Sequence, residues 1–372
     1  MNKYFTLFLL LSLSIFLFSC SKDDDNNNDD NKEYDYTNIL NDYVDNTVIA
    51  TYASMKDNSK TLLADAQKFV ASGLQTDLDA TCAAWKATRK PWECSEAFLF
   101  GPADYKDIDP LIDSWPLDQT QLDQVLAGNQ ELTAEFVRNG LGSGLRGFHT
   151  IEYLIFRDGS PRSAAEITTR EKQYLAAVTE VLRDDCITLW ALWAGVNEGS
   201  EEAEILESID VSVGTPYGTE FKNSGNAGSR YLSQTSAVEE ILQGMIDIAN
   251  EVGSQKIAGP VKSQNVLDVE SWFSWNSLTD FTNNVNSIEN AYINGYDSST
   301  PGASLSAFVK EIDASIDAEV KTKITAAKTA INAIPAPFRN SLNNTEKTSA
   351  AIAAMSDLET VLTQKVLPLV VD

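Results

Sequence analysis

The sequence predicts an all-α protein of packed helical bundles. Three observations carry that prediction. Apolar residues recur at steps of three and four over long stretches. Period-two runs bounded by turn residues are few. A Gly/Pro/Asn-rich segment at 212–230 divides the chain into two helix-rich parts, 36–211 and 231–372, each long enough for four or five helices.

The stretch 38–72 places Ile39, Leu40, Tyr43, Val44, Val48, Ile49, Tyr52, Leu62, Leu63, Ala66, Phe69 and Val70 on a helical stripe. It predicts one long amphipathic helix or two in series. Residues 76–100 follow, with Leu78, Cys82, Trp85, Phe98 and Leu99. Pro91 inside that pattern should kink it and free the carbonyl of Ala87, four residues back. Further helical stretches span about 118–127, 131–139, 144–156, 163–195, 200–209, 231–253, 277–294, 304–333 and 339–366. Ser163 and Glu166 form a capping-box signature at the start of the longest of these.

Composition excludes several functions. The chain has 372 residues, 54 Asp+Glu, 28 Lys+Arg and a formal charge of −26. Nucleic-acid binding needs clustered cations on a phosphate-facing surface, so no nucleic-acid partner is expected. A single histidine rules out HExxH and three-His zinc sites.

The N-terminus reads as a targeting segment, 1–20. Lys3 precedes an apolar run from Tyr4 to Phe18, too short for the ~20 residues of a membrane span. Leu17-Phe18-Ser19-Cys20 resembles the lipobox of bacterial lipoproteins, which implies lipidation at Cys20 and a lipid anchor to the membrane. Residues 21–35 carry seven acids and two lysines and read as a solvated tether. The stretch also resembles the acidic segment that sends Bacteroidetes lipoproteins to the cell surface. The implied location is an outer-membrane lipoprotein, periplasm-facing or surface-exposed. Of the remaining cysteines, Cys82 and Cys94 would lie about 18 Å apart on a single helix and could not pair. A disulfide would then need Cys186, and three buried thiols are the simpler arrangement.

Three clusters carry candidate chemistry. His149 and Glu152, three apart on a predicted helix, share a face and can present an imidazole and a carboxylate to one ion. Glu93 and Glu96 repeat the i,i+3 spacing, with Arg89 one turn before. Two such pairs resemble carboxylate-rich metal sites in helical bundles, with donors suited to iron, manganese or zinc. The alternative is structural: His149 hydrogen-bonded to a carboxylate, and Glu93 and Glu96 ion-paired to Arg89, Lys86 or Lys90. The third cluster is Glu270 to Phe281, where Trp272 and Trp275 read as core or interdomain anchors and Ser277 and Asp280 as capping or face-sharing residues.

These residues meet in a family resemblance. GFHTIEYLIF, residues 147–156, contains the GxHxxE motif of the imelysin family, also known as peptidase family M75. Trp85 to Asp118, with SEAFLFGP and IDSWPLD, is similar to that family's first block, and SWFSWNSLTDF to a later one. The resemblance covers most of 36–370. It implies two helical-bundle domains, 36–211 and 231–372, and a functional cleft near GxHxxE where they meet. It implies a link to iron uptake. A peptidase role is left open: the family lacks a standard zinc-protease motif, and no second His is present here. The site residues implied are His149, Glu152, Glu93 and Glu96 for a divalent metal, iron or zinc. Gly147, Arg89, Trp115, Ser277 and Asp280 are expected in the cleft. A peptide or small molecule, bound without metal, is the alternative ligand.

Overall fold

The computed structural model describes residues 34–296 and 302–371. The targeting segment with Cys20 and nearly all of the 21–35 tether lie outside the described residues. Within them no helix is long and apolar enough to cross a membrane.

The first bundle is built on three long helices. A short α1 (Thr37–Asp42) runs through a π-helical stretch, Tyr43–Ile49, into α2 (Ala50–Ser72). Gly73, with φ +67°, ends α2, and α3 (Gln75–Glu93) returns antiparallel against it. The stripe Leu62, Ala66 and Phe69 of α2 is fully buried, as the apolar spacing predicts. A short α4 (Asp109–Asp113) and then α5 (Gly147–Ile155) lead to α6 (Thr169–Ala194), which lies along α2.

Three features differ from expectation. The stretch 76–100 is not one helix. Pro91 leaves the Ala87 carbonyl without its amide partner, as predicted, and the Asn58 side-chain amide donates to it at 3.0 Å. The helix ends at Glu93, and Glu96 starts a separate 3₁₀ turn, Glu96–Phe98, so the two glutamates do not share a regular helix face. The cap of the longest helix is Thr168 with Glu171, not Ser163 with Glu166. Ser163 precedes a 3₁₀ turn, Ala164–Glu166, and the Thr168 hydroxyl and Glu171 carboxylate satisfy each other's backbone amides. A two-residue hairpin, β1 (Phe156–Arg157) with β2 (Ser160–Pro161), interrupts the helices. Asp158 and Gly159, both at positive φ, make its turn, a hairpin signal present in the sequence. Of the two readings of Trp275, core or interdomain anchor, the second fits: the ring is partly exposed and lies across Gly159 of the first bundle.

Residues 212–230 contain α7 (Tyr217–Lys222), whose Tyr217 and Phe221 are buried; Phe221 stacks on Phe100 at 5.8 Å. The second bundle follows: α8 (Gln234–Glu251), α9 (Ser277–Ile293), α10 (Ala314–Asn332) and α11 (Thr345–Val361). Ile241 and Met245 of α8, Val285 and Ile288 of α9, Ile324 of α10 and Met355 of α11 fill its core. Apolar packing is continuous between the bundles, so residues 35–372 form one compact unit. Cys82, Cys94 and Cys186 are buried thiols, as the simpler arrangement predicted.

Part of the seam between the bundles is polar. Helix α9 faces the end of α3, with Asn284 donating to the Glu93 carboxylate at 2.6 Å and Ser287 accepting from the Ala97 amide at 3.0 Å. The charged residues singled out in the sequence collect along this seam.

Candidate functional site

Gly147 sets the geometry of the site. It opens α5 with φ +75°, a conformation that favours glycine. A Cβ there would sit 2.2 Å from the carbonyl oxygen of Ile112. The missing side chain lets α5 press against the end of α4, which carries Asp113. His149, two residues into α5, thereby meets a carboxylate that lies 36 positions away in sequence.

The two imidazole nitrogens have different roles. Nδ1 lies 3.0 Å from Glu152 Oε2 on the same helix. The other oxygen of Glu152 accepts from the Ser274 amide at 2.8 Å and hydroxyl at 2.7 Å. Glu152 is thus occupied by the ring and by Ser274, and it orients the imidazole as an outer carboxylate does in many metal sites. The i,i+3 spacing that was expected to turn both side chains toward one ion here joins them to each other. Nε2 points the other way, 3.0 Å from Asp113 Oδ1 and 3.9 Å from Glu270 Oε1. The Asp113 contact is close but lacks hydrogen-bond alignment, so Nε2 is a buried nitrogen without a hydrogen-bond partner. The Trp115 ring packs edge-on to the imidazole at 4.6 Å.

Arg89 holds the carboxylates in place. It is fully buried, and its guanidinium reaches Glu93 at 2.7 Å, Asp113 at 2.7 Å, Glu270 at 2.9 Å and Asp280 at 3.1 Å. Trp92 donates to the second oxygen of Asp113 at 2.7 Å, and Asn276 to Asp280 at 2.6 Å. Ser277 donates to the Glu270 main-chain carbonyl at 2.6 Å, so it shapes the loop rather than facing a ligand. Lys256 is the second cation, 3.2 Å from Glu270 and 3.8 Å from both Glu96 and Glu251.

Carboxylates outnumber these cations, and the titration of the groups reflects it. Burial, reinforced by neighbouring negative charge, pushes Glu93 and Glu96 well above the usual carboxylate range despite Arg89 and Lys256. Burial and the Asp113 charge lift Asp109 to about 6. Asp113 and Glu270 go the other way. Burial alone would raise both, but Arg89 and His149 hold Asp113 well down, and Lys256, His149 and Arg89 hold Glu270 at about 2. Burial alone would lower the His149 pKa; the Asp113 carboxylate reverses this and carries it well above the ordinary value.

A cavity of about 290 Å³ opens onto this cluster. It is lined by Glu96, Asp109, Asp113, Glu251, Asp268 and Glu270, with Trp115, Leu99, Gln255 and the single cation Lys256. Among the described residues, two sets of side chains bring three donor atoms within 4.8 Å of one another: Asp113, His149 and Glu270, and Glu93, Glu96 and Asp113. Of the residues expected in the cleft, His149, Arg89, Asp280, Glu93, Glu96 and Trp115 converge here; Gly147 and Ser277 support the backbone. Asp113, Glu270, Lys256, Asp109 and Ser274 were not singled out. Asp113 stands inside the IDSWPLD block, and Glu270 opens the block containing Ser277 and Asp280. Nothing in their spacing pointed to His149.

The comparisons with known proteins agree with this fold. Residues 48–364 match the model of the imelysin family. Iron-regulated protein A of Synechococcus elongatus is 29% identical over 334 residues, covering 88% of this chain and 85% of its own length. A crystal structure assigned as an iron-regulated protein A precursor from Parabacteroides distasonis superposes with a TM-score of 0.80 at 34% identity, covering 91% of this chain and 96% of that one. An imelysin-like protein from Psychrobacter arcticum shares the fold, with a TM-score of 0.65 at 13% identity over 89% and 94% of the two chains. With a family match spanning most of the sequence and a helical fold shared along nearly its whole length, the chain belongs to the imelysin family.

Proposed function

We propose that this protein is a cell-envelope lipoprotein that takes up a divalent metal ion, or a ligand containing one, in the acidic cavity between its bundles, in the service of iron acquisition. The observation that carries the proposal is the buried Nε2 of His149, 3.0 Å from Asp113 and 3.9 Å from Glu270, three donors close enough together to share one ion. One imidazole and two carboxylates suit iron, manganese or zinc, and these ions would supply a positive charge that the surrounding acids lack. His149, Asp113 and Glu270 are the proposed ligands. Glu152 fixes the ring from behind, and Arg89 holds Asp113 and Glu270 at the right separation. Two of the relatives are described as iron-regulated, which supports the assignment to iron.

Titration calorimetry with ferrous ion under anaerobic conditions, and separately with zinc, tests this. Asp113→Asn and His149→Ala should each weaken binding by more than the ~10–100-fold expected for an outer partner such as Glu152. Wild type binding neither ion would end the metal assignment. The lipid anchor is tested independently. Cys20→Ala should move the protein from the membrane fraction to the soluble fraction, and unchanged fractionation would rule out lipidation at Cys20.

A further inference from the structure

We infer that the metal enters this cavity as a hydrated cation, and that the site rejects iron held in anionic chelates such as citrate, catecholates or a porphyrin with its carboxylates. The inference rests on the metal assignment above and narrows the chemical form of the ligand. It follows from what the walls of the cavity can and cannot pair with.

An anionic chelate needs a guanidinium or ammonium group free to meet its oxygens. Neither buried cation here is free. Arg89 spends Nε on Asp280, Nη1 on Asp113 and Nη2 on both Glu93 and Glu270. Lys256 is surrounded by Glu96, Glu251 and Glu270. Six carboxylates face the cavity, and Nε2 of His149, fully buried and without a hydrogen-bond partner, lies behind them beside Asp113 and Glu270.

The adjoining space offers no relief. A second cavity of about 470 Å³ shares Trp115 and Asp268 with the first and is lined by Pro116, Leu117, Leu267, Trp272 and Phe273. Its size and apolar walls would admit the organic part of a chelate. Its charged residues, however, are Asp118 and Asp268, both acids. A chelate lodged there would hold its own negative groups against carboxylates in a partly dry pocket, where like charges repel more strongly than in water. A hydrated divalent ion meets the opposite situation. Six waters at about 30 Å³ each occupy roughly 180 Å³, which fits the 290 Å³ cavity. The surrounding negative potential draws such an ion in, and carboxylates can replace its waters one at a time.

Equilibrium dialysis of the wild-type protein against ferrous ion, kept anaerobic, and against ferric citrate, with bound iron measured by elemental analysis, tests the inference. Ferrous ion should bind at least tenfold more tightly than ferric citrate. The double variant Glu251→Lys/Asp268→Lys adds two cations at the cavity mouth; circular dichroism reports whether it remains folded. It should capture ferric citrate at least tenfold better than wild type and bind ferrous ion less well. Ferric citrate binding to wild type as tightly as ferrous ion, and in competition with it, would overturn the inference while leaving the metal assignment standing. An unchanged preference in the folded double variant would overturn the electrostatic basis. Retention of neither form of iron nor of zinc would remove both the inference and the assignment beneath it.

Discussion

Replacing Arg89 with Met should prevent the protein from accumulating in folded form at neutral pH. The guanidinium is the shared partner of Glu93, Asp113, Glu270 and Asp280, and none of these is appreciably exposed to water. Breaking a single buried ion pair from one side costs about 3–5 kcal/mol, because the remaining charge stays buried and unpaired. Here four acidic side chains lose the same partner, and Asp113 and Glu270, whose pKa values are held down, are left as buried charges, against a total stability of about 5–15 kcal/mol for a typical domain. Arg89→Lys keeps the charge but not the fork of donors, so it should rescue only in part.

Acid should help, and the sign can be worked out group by group. Glu93, Glu96, Asp109 and Asp280 have pKa values raised by burial in the folded protein. The folded state therefore binds protons before the unfolded chain does. Stability from these groups is present below the unfolded carboxylate range and is lost as pH rises through the folded values, near 6 for Asp109. Asp113 and Glu270 are depressed, so their contribution is lost only as pH falls through their folded values, about 2 for Glu270. Between pH 7.5 and 5, metal-free wild type should become more stable, and Arg89→Met should gain more. Thermal melts across that range check both statements. A wild-type melting temperature that falls steadily on acidification to pH 5 would contradict them.

Gly147→Val should cost about 3 kcal/mol and displace Asp113 from His149 at the same time. Holding a non-glycine residue at φ +75° costs on the order of 1–3 kcal/mol. The new Cβ must also move away from the Ile112 carbonyl, which is backbone and cannot rotate aside. With an unfolding entropy of about 2 cal/mol/K per residue, this corresponds to roughly 5 °C in melting temperature. The control is nearby. Gly142 has ordinary φ, and a Cβ there meets nothing within 4 Å, so Gly142→Ala should be close to neutral. Comparable melting temperatures for the two variants would show that the close approach of α5 to α4 is not what Gly147 provides.

The helices were legible in the sequence because burial of one stripe is a local, periodic constraint. Leu62, Ala66 and Phe69 announce it, and Pro91 announces the orphaned carbonyl at Ala87. Boundaries were less legible. Ser163 with Glu166 and Thr168 with Glu171 are both capping boxes by sequence, and only tertiary packing selects the second. The site was half visible. His149 stood out by its i,i+3 spacing to Glu152, Arg89 by its place one turn before Glu93, and Asp280 by its place in the aromatic block that starts at Glu270. Their partners did not, because Asp113 and Glu270 reach His149 through the docking of α4 and of the loop before α9. That docking depends on Gly147 and on the Ser274 contact with Glu152, neither of which leaves a periodic trace.

The second cation of the site stands on unusual backbone. Lys256 belongs to a π-helical stretch, Val252–Ile257, that continues α8. Such a stretch holds one residue more than the α-helix it interrupts. The wider turn absorbs that extra residue, so the helix beyond it keeps its face, while Lys256 inside it takes an angle that regular α-helical spacing five residues after Glu251 would not give. Restoring regular spacing around Lys256 would turn it relative to Glu251, which stands before the stretch and would keep its place. The charge of this pocket can therefore be altered by an insertion or deletion in a single helical turn, with every wall residue unchanged, and relatives that differ in length at this turn should differ in the charge they present to the same ion.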